Sequence, residues 1–283
     1  MRSSSFALFG TAVVAFFAAA GCRIELKTQT AFEDTSVPAK SSTKAWAGEE
    51  ITIENSGVNP LGGLGGVEVK VDPAATGVTI NATISALADD DKPEGARLSR
   101  ADVLQTYQII ENAGKWDIKC GNGKAHGTSG VAGSGCKILR VTIPPGTALQ
   151  PHNLTVGNGS GSIRVGLAEA GGIPYVRNLT VDNNGLSEVN VRVNPVAGGR
   201  LVVVGESEVV VALPTAFSAQ KVVFTVDETD PARAGARILV PGFQGMVGGS
   251  AYPVAGATAD AVTELNVLSN GPFSSHTLTI NSF

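Results

Sequence analysis

Short runs in which apolar and polar residues alternate dominate the chain from residue 51 to the C-terminus. Val, Ile or Leu takes every second position over four to seven residues, and Gly, Asn, Asp or Pro separates the runs. A period of two is typical of β-strands with one buried face. The pattern predicts an all-β fold. The clearest runs contain Ile51/Ile53, Val67/Val69/Val71, Ile163/Val165/Leu167, Val189/Val191/Val193, Val209/Val211/Leu213, Val222/Phe224/Val226, Ile238/Val240, Leu265/Val267 and Leu278/Ile280.

One segment breaks this alternation and predicts a single short helix near residues 99–113. Ser99 is a suitable N-cap, apolar residues recur at helical spacing, and Gly114 supplies a stop. We expect the apolar face of this helix to pack against one end or side of the β-structure. That face contains Val103, Leu104, Tyr107 and Ile110.

Two internal similarities indicate a repeat. Residues 143–156 match residues 213–226, with Pro, Gln, Thr and Val in corresponding places. Residues 153–158 read Asn-Leu-Thr-Val-Gly-Asn and residues 178–183 read Asn-Leu-Thr-Val-Asp-Asn, an offset of 25. Periods of this length are typical of coils or blades that bury a face by stacking. We therefore predict a β-solenoid-like stack of short strands, with a β-sandwich as the alternative. Shorter similarities, spaced by about 22 residues, continue the series at 201–204 and 223–226.

Several segments share a further order: a strand, Pro and a small residue, a few residues with Phe or Leu, and a strand ending in Asn or Asp with Gly. Parts of it occur at residues 141–146, 155–165 and 211–219. This order resembles the putative-adhesin β-solenoid domains of bacterial envelope proteins, a family of largely undefined function. The resemblance covers residues 115–240 and rests on rhythm, not on catalytic residues. It implies a solenoid fold and a place in the cell envelope.

The N-terminus has the order of a secretory signal peptide, a cationic start followed by an apolar stretch at residues 6–20. The stretch runs into Ala19-Ala20-Gly21-Cys22, which resembles the lipobox of bacterial lipoproteins, although Leu is commoner at the place of Ala19. The resemblance implies cleavage after residue 21 and lipid attachment to Cys22. An ordinary signal peptide with an incidental cysteine is the alternative.

These features divide the chain into three parts. Residues 1–21 form a lipoprotein signal peptide, residues 22–48 a flexible tether rich in Thr, Ser, Ala and Lys, and residues 49–283 the β-rich repeat domain. Arg23, not Asp, follows the cysteine, which by the same resemblance favours sorting to the outer membrane. The lipid on Cys22 would make the membrane one partner of the protein.

Export would place the two remaining cysteines, Cys120 and Cys136, in an oxidising compartment. We predict a disulfide between them. The loop that they enclose contains six Gly, so its closure would stabilise the fold by about 3 kcal/mol. His126 in this loop suggests a metal site with both thiols, but three ligands at this spacing match no standard zinc pattern. We therefore predict no metal site.

Charge and composition narrow the function. The chain has 21 Lys+Arg and 25 Asp+Glu, a net charge of −4, which argues against a nucleic-acid binder with a basic face. His126, His152 and His276 lie in unrelated loops, where we expect them to be solvated, and no nucleophile elbow occurs. No catalytic residue and no cofactor is predicted. A polysaccharide-cleaving enzyme would use two carboxylates as a pair. The candidates in this chain are Glu206, Glu208, Asp182, Asp227, Glu228 and Asp230.

The first functional hypothesis is therefore a lipid-anchored, non-enzymatic envelope protein that serves adhesion or scaffolding. Its expected partners, besides the membrane, are other envelope proteins or surface glycans. The alternatives are a polysaccharide-acting enzyme on a β-helix and an accessory subunit of an envelope complex. A pair of carboxylates in one groove would favour the enzyme.

Overall fold

The computed structural model describes residues 29–56, 65–89, 93–121, 135–159, 161–167, 172–184, 187–226, 235–238, 250–253, 261–269 and 277–283. The predicted signal peptide, Cys22 and the loop with His126 lie outside these residues.

The described residues form two β-sheets and one helix, so the predicted all-β class is confirmed. The helix is α1 (Pro93–Thr106). In spatial order, sheet A contains β1 (Gln29–Asp34), β5 (Thr79–Asp89), β8 (Gly135–Ile143), β4 (Gly66–Val71), β10 (Ile163–Val165), β12 (Val189–Arg192), β14 (Glu208–Leu213), β19 (Thr277–Ser282) and β16 (Gly235–Ile238), and β2 (Lys40–Ser41) also pairs with β5. Sheet B contains β17 (Ser250–Pro253), β15 (Lys221–Val226), β18 (Glu264–Ser269), β13 (Asn194–Gly205), β11 (Tyr175–Asn183), β9 (His152–Asn158), β3 (Glu50–Asn55), β7 (Lys115–Cys120) and β6 (Gln108–Asn112).

For most of its length the chain crosses from sheet B to sheet A and back. We call a sheet B strand and the sheet A strand that follows it a passage. Every passage pairs in parallel with its neighbours in both sheets. The spatial order of the described passages is β7–β8, β3–β4, β9–β10, β11–β12, β13–β14, β18–β19 and β15–β16. The first two and the last two passages are thus exchanged relative to the sequence, and only the middle follows a simple coil.

Strands that run antiparallel flank this stack. β5 pairs antiparallel with β8, β1 and β2 pair antiparallel with β5, β6 pairs antiparallel with β7, and β17 pairs antiparallel with β15. Both sheets are therefore mixed. Antiparallel strands thus cover the parallel stack at both ends of sheet B and at the β8 end of sheet A, where they shield its outermost parallel strand from another chain. At the other end of sheet A, the outermost described strand is β16, which pairs in parallel with β19.

The core lies between the two sheets because alternate side chains of both point inward. In sheet B, Leu154, Leu179, Leu201 and Leu265 follow one another in register and are buried. Burial of one such side chain contributes about 1.5–3 kcal/mol. The inward residues of sheet A belong to the same hydrophobic core, among them Val67, Ile163, Val189, Val209 and Leu278.

The two segments with the clearest sequence similarity lie on neighbouring strands. Residues 153–158 of β9 pair in register with residues 178–183 of β11, so the offset of 25 is one passage. Residues 201–204 of β13 follow in register beside β11. The series does not continue directly to residues 223–226, because β18 lies between β13 and β15.

The helix begins and ends earlier than predicted, since α1 spans Pro93–Thr106 and the expected range was 99–113. Proline suits the first turn of a helix, where its missing N–H is not needed. The apolar residues after Thr106 belong to β6, which turns through Gly114 into β7. Gly114 has a φ of +78°, so it serves the hairpin and not the helix stop. The helix packs on β5 and also contacts β7, with Val103 buried.

Much of the predicted tether at residues 22–48 is part of the fold. It contains β1 and β2, and side chains fix it to the body. Asp34 forms an ion pair with Arg100, and the hydrogen bond from Ser36, followed by those from Arg100, holds the pKa of Asp34 below its usual value. Lys40 Nζ donates to the carbonyl oxygen of Tyr107 at 2.5 Å. The prediction missed these strands because paired edge strands need only one apolar face, or none.

Candidate functional site: the outer face of sheet B

The outer face of sheet B presents its side chains in straight rows, because parallel strands in register place equivalent residues side by side. One row, which we call the Asn row, contains Glu50, Asn153, Asn178, Arg200, Glu264 and Lys221. The next, which we call the Thr row, contains Thr52, Thr155, Thr180, Val202, Asn266 and Val223.

The two rows enclose an open groove of about 240 Å³, which we call the Asn/Thr groove. Asn178 Nδ2 donates a hydrogen bond to Asn153 Oδ1 over 2.9 Å, which orients both amides across neighbouring strands. Side chains and backbone of three consecutive strands of sheet B therefore line one polar depression. Its lining residues are Glu50, Asn153, Leu154, Thr155, Asn178 and Thr180.

A β-bulge lies beside this groove. Against β9, the exposed Arg177 is an extra residue between Val176 and Asn178. Against β13, the extra residues lie on β13, where residues 196–199 stand opposite Arg177. The backbone is tight there: a Cβ on Gly199 would lie 2.1 Å from the carbonyl oxygen of Arg177. Only glycine fits that position. Bulges are common next to binding sites, where they redirect side chains.

The far end of the Asn row is closed by charge pairing. Glu264 accepts hydrogen bonds from Arg200 at 2.9 Å and from Lys221 at 3.2 Å. The hydrogen bond from Arg200 is the main reason that the pKa of Glu264 lies below its usual value. These three charged side chains pair with one another. The middle of the face carries amides and hydroxyls.

The outer face of sheet A differs, because charged side chains run through its middle. Glu68 lies 3.2 Å from Arg140 and 3.1 Å from Lys70, measured between nitrogen and oxygen atoms. Arg164 and Glu188 pair at 2.5 Å. This face is occupied by ion pairs within the protein.

The turns from sheet B to sheet A share a buried position at the end of each sheet B strand. We call this position the turn ladder. In spatial order it holds Cys120, Asn55, Asn158, Asn183, Gly205 and Ser269, all buried.

Each polar member of the turn ladder joins the two sheets. Asn55 Nδ2 donates to the carbonyl oxygen of Cys136 at 3.0 Å, and Asn158 Nδ2 to that of Gly65 at 3.2 Å. Asn183 Nδ2 donates to Gly161 at 2.8 Å and to Ser187 at 3.2 Å, both at carbonyl oxygens. Ser269 donates its hydroxyl to the carbonyl oxygen of Ser207. Each of these bonds gives a backbone carbonyl oxygen a side-chain donor.

The predicted disulfide is present at one end of the turn ladder. Cys120 and Cys136 are bonded with their Cα atoms 5.8 Å apart, and they connect β7 in sheet B with β8 in sheet A. A glycine interrupts the ladder elsewhere because the space is filled: a Cβ on Gly205 would lie 2.8 Å from Val209 and 2.9 Å from Val189.

His152 corrects the prediction of three solvated histidines. It is the first residue of β9 and is fully buried, with its ring 4.2 Å from the ring of Trp46. Gly146 N–H lies 3.1 Å from its Nε2. Burial lowers the pKa of His152 to about 4, so the ring is neutral at pH 7. His126 and His276 lie outside the described residues.

The carboxylates considered for catalysis are dispersed. Glu208 begins β14, while Glu206 lies in the turn before it, so the two do not lie on one strand. Asp182 lies on the outer face of sheet B, beside Val204 in register. Asp227, Glu228 and Asp230 lie outside the described residues. In the described part of the chain, no group of three or more His, Cys, Asp or Glu side chains could hold a metal ion.

The groove residues themselves were not predicted as a site. Asn153, Thr155, Asn178 and Thr180 stood out in the sequence only as a repeat. The usable signal was that the repeat keeps polar residues at outward positions as well as apolar residues at inward ones.

Comparison with known proteins gives one distant likeness. No family model and no curated protein matches this chain. A crystal structure described as a putative cell adhesion protein from Clostridium sporogenes is similar over 87% of this chain and 100% of its own, with 12% identity and a TM-score of 0.49. A likeness this distant carries no function across. Among the described residues, no helix has the length and apolar character needed to span a membrane.

Proposed function

We propose that this chain is a lipid-anchored protein of the bacterial cell envelope, sorted to the outer membrane, that serves adhesion or scaffolding without catalysis. The observation that carries the proposal is the outer face of sheet B, where parallel strands hold polar side chains in two straight rows. A rigid scaffold with a regular face suits binding, because little side-chain ordering remains to be done on association.

The anchor would hold the body close to the membrane. β1 begins at Gln29, so only residues 23–28 separate Cys22 from the first strand. Six extended residues reach at most about 20 Å. We expect native protein extracted from membranes to carry acyl mass and a Cys22→Ala variant to be released unacylated. If native protein has no added mass, the anchored form of the proposal is wrong.

Binding can be tested with purified mature chain and envelope fragments from the source cells. The variant Thr155→Arg/Thr180→Arg places two bulky charges on the outer face of sheet B, whereas Thr142→Arg/Thr279→Arg places the same charges on that of sheet A. We expect the first to reduce sedimentation with envelope fragments at least tenfold and the second to leave it within twofold. Equal losses in both variants, or no sedimentation of the unmodified chain, would contradict the proposal.

A further inference from the structure

The Asn/Thr groove offers a particular set of hydrogen-bonding groups. The hydrogen bond from Asn178 to Asn153 uses one N–H and one oxygen, which leaves both amide N–H groups of Asn153 and the second N–H and the oxygen of Asn178. The hydroxyls of Thr155 and Thr180 can each donate and accept. The groove therefore contains both donors and acceptors. A sugar hydroxyl, which also donates and accepts, can pair with every one of them.

The charges around the groove favour an uncharged ligand. The Glu50 carboxylate lines one side of it, where it would repel an anion. Arg200, one strand beyond Asn178, already bonds to Glu264. On the other side, Lys115 follows Glu50 in register and pairs with Asp117 at 3.2 Å. Arg177 is exposed at the bulge, so charges of both signs flank the groove.

An aromatic ring stands on the same strand. Tyr175 begins β11 and is 38% exposed, with its neighbour Val176 buried, so its ring lies on the outer face. Among the sheet B side chains whose exposure the structure describes, it is the one large apolar side chain that is exposed. Aromatic rings with a polar end suit ligands that have both apolar faces and hydroxyl edges, as sugar rings do.

The spacing of the groups also suits a chain of sugars. Neighbouring strands lie about 4.8 Å apart, and outward residues on one strand lie about 6.6 Å apart. Amides and hydroxyls thus form a grid whose cell is comparable to one sugar ring. The Asn row could follow such a chain across strands β3, β9 and β11.

We propose that the Asn/Thr groove, together with Tyr175 three residues before Asn178 on β11, binds an uncharged polysaccharide through hydrogen bonds to its hydroxyls. This inference rests on the proposed adhesion function and names its partner. The outer face of sheet A instead carries ion pairs between Glu68 and Arg140 and between Arg164 and Glu188.

Affinity electrophoresis in native gels tests this inference directly. The gels contain either an uncharged polysaccharide (hydroxyethyl cellulose, galactomannan or dextran) or the anionic polygalacturonate. We expect at least one uncharged gel to retard the mature chain and polygalacturonate not to do so. Asn153→Ala/Asn178→Ala and, separately, Tyr175→Ala should weaken retardation at least fivefold, because removing a hydrogen bond or an aromatic ring from a binding site lowers affinity by a substantial factor.

A matched variant on the other face controls for general damage. Asn190→Ala/Thr279→Ala removes an amide and a hydroxyl from the outer face of sheet A and should leave retardation unchanged. Thermal unfolding of every variant shows whether it is folded.

The outcomes separate this inference from the proposed function. If no uncharged gel retards the chain, or if the groove variants and the sheet A variant behave alike, the polysaccharide assignment is wrong. Envelope binding that still depends on Thr155 and Thr180 would then keep the adhesion function and point to a protein or lipid partner. If the chain binds neither an uncharged polysaccharide nor envelope fragments, both proposals are wrong.

Discussion

Two edges of the molecule connect the same pair of sheets, and they are built differently. Where the chain passes from sheet B to sheet A, the sheet B strands end in register and the turn ladder repeats one device. Where it returns from sheet A to sheet B, the connections differ in length, and examples are residues 144–151, residue 193 and residues 214–220. The difference shows that a repeated side chain needs repeated backbone geometry.

In the turn ladder, polar side chains from one position of the sequence repeat donate hydrogen bonds to backbone carbonyl oxygens. The return edge, where the chain passes from sheet A back to sheet B, instead uses a local contact. His152 Nε2 lies 3.1 Å from the amide nitrogen of Gly146 and 3.0 Å from the carbonyl oxygen of Pro144, and the ring tautomer sets which of these two backbone groups it bonds. A local solution requires no neighbour of the same kind, so this edge is free to vary.

The disulfide is the covalent member of the turn ladder, and its removal should have the largest effect on the stability of this edge. A Cys120→Ala/Cys136→Ala variant should lose about 3 kcal/mol of unfolding free energy, because the unfolded chain is no longer constrained. Urea denaturation of the oxidised chain and the variant measures this loss. A variant as stable as the oxidised chain would show that the hydrogen-bonded turns alone hold the sheets together.

Removing a hydrogen-bonded member should have a somewhat smaller effect. Asn183→Ala leaves the buried carbonyls of Gly161 and Ser187 without this donor, and we expect a loss of about 2 kcal/mol in urea denaturation. Asn178→Ala, five residues earlier on the exposed face, is the matched control and should change stability by less than about 0.5 kcal/mol. Similar losses in both variants would contradict a special role for the ladder.

The contribution of the return edge to stability should depend on pH. The pKa of His152 is about 4 in the folded chain and about 6.5 when unfolded, so the unfolded chain binds more protons between these values. Stability is therefore full above pH 6.5 and should fall by about 1 kcal/mol per pH unit as the pH drops toward 4. Urea denaturation at several pH values measures the slope. His152→Gln should flatten it, and an unchanged slope would show that other groups cause it.

The sequence revealed the parts of this fold that repeat. Alternating apolar residues predicted strands, and the match of residues 153–158 with 178–183 predicted in-register neighbours, because stacked parallel strands impose equal environments on equal positions. The exchange of passages at both ends was not predictable in this way. A strand pattern states which face is buried but not which strand lies beside it.

The site was harder to predict than the fold for a related reason. His152 was expected to be solvated, since nothing in its local sequence indicates that Trp46 lies on its ring. Cys120 and Cys136 were paired correctly because few cysteines remained to choose from. Asn153 and Asn178 are ordinary residues singly and form a groove only when β9 and β11 bring them together.

The exchanged passages also bear on how such a protein can change in length. Because β3–β4 lies inside β7–β8, and β18–β19 lies inside β15–β16, the sequence order and the spatial order of the passages differ at both ends of the described stack. Between β9 and β14 the two orders agree, so duplication of a passage there requires no change in how the strands are connected. Lengthening there would extend the Asn row and the Thr row together, so evolution can enlarge the proposed binding face while the two ends stay as they are.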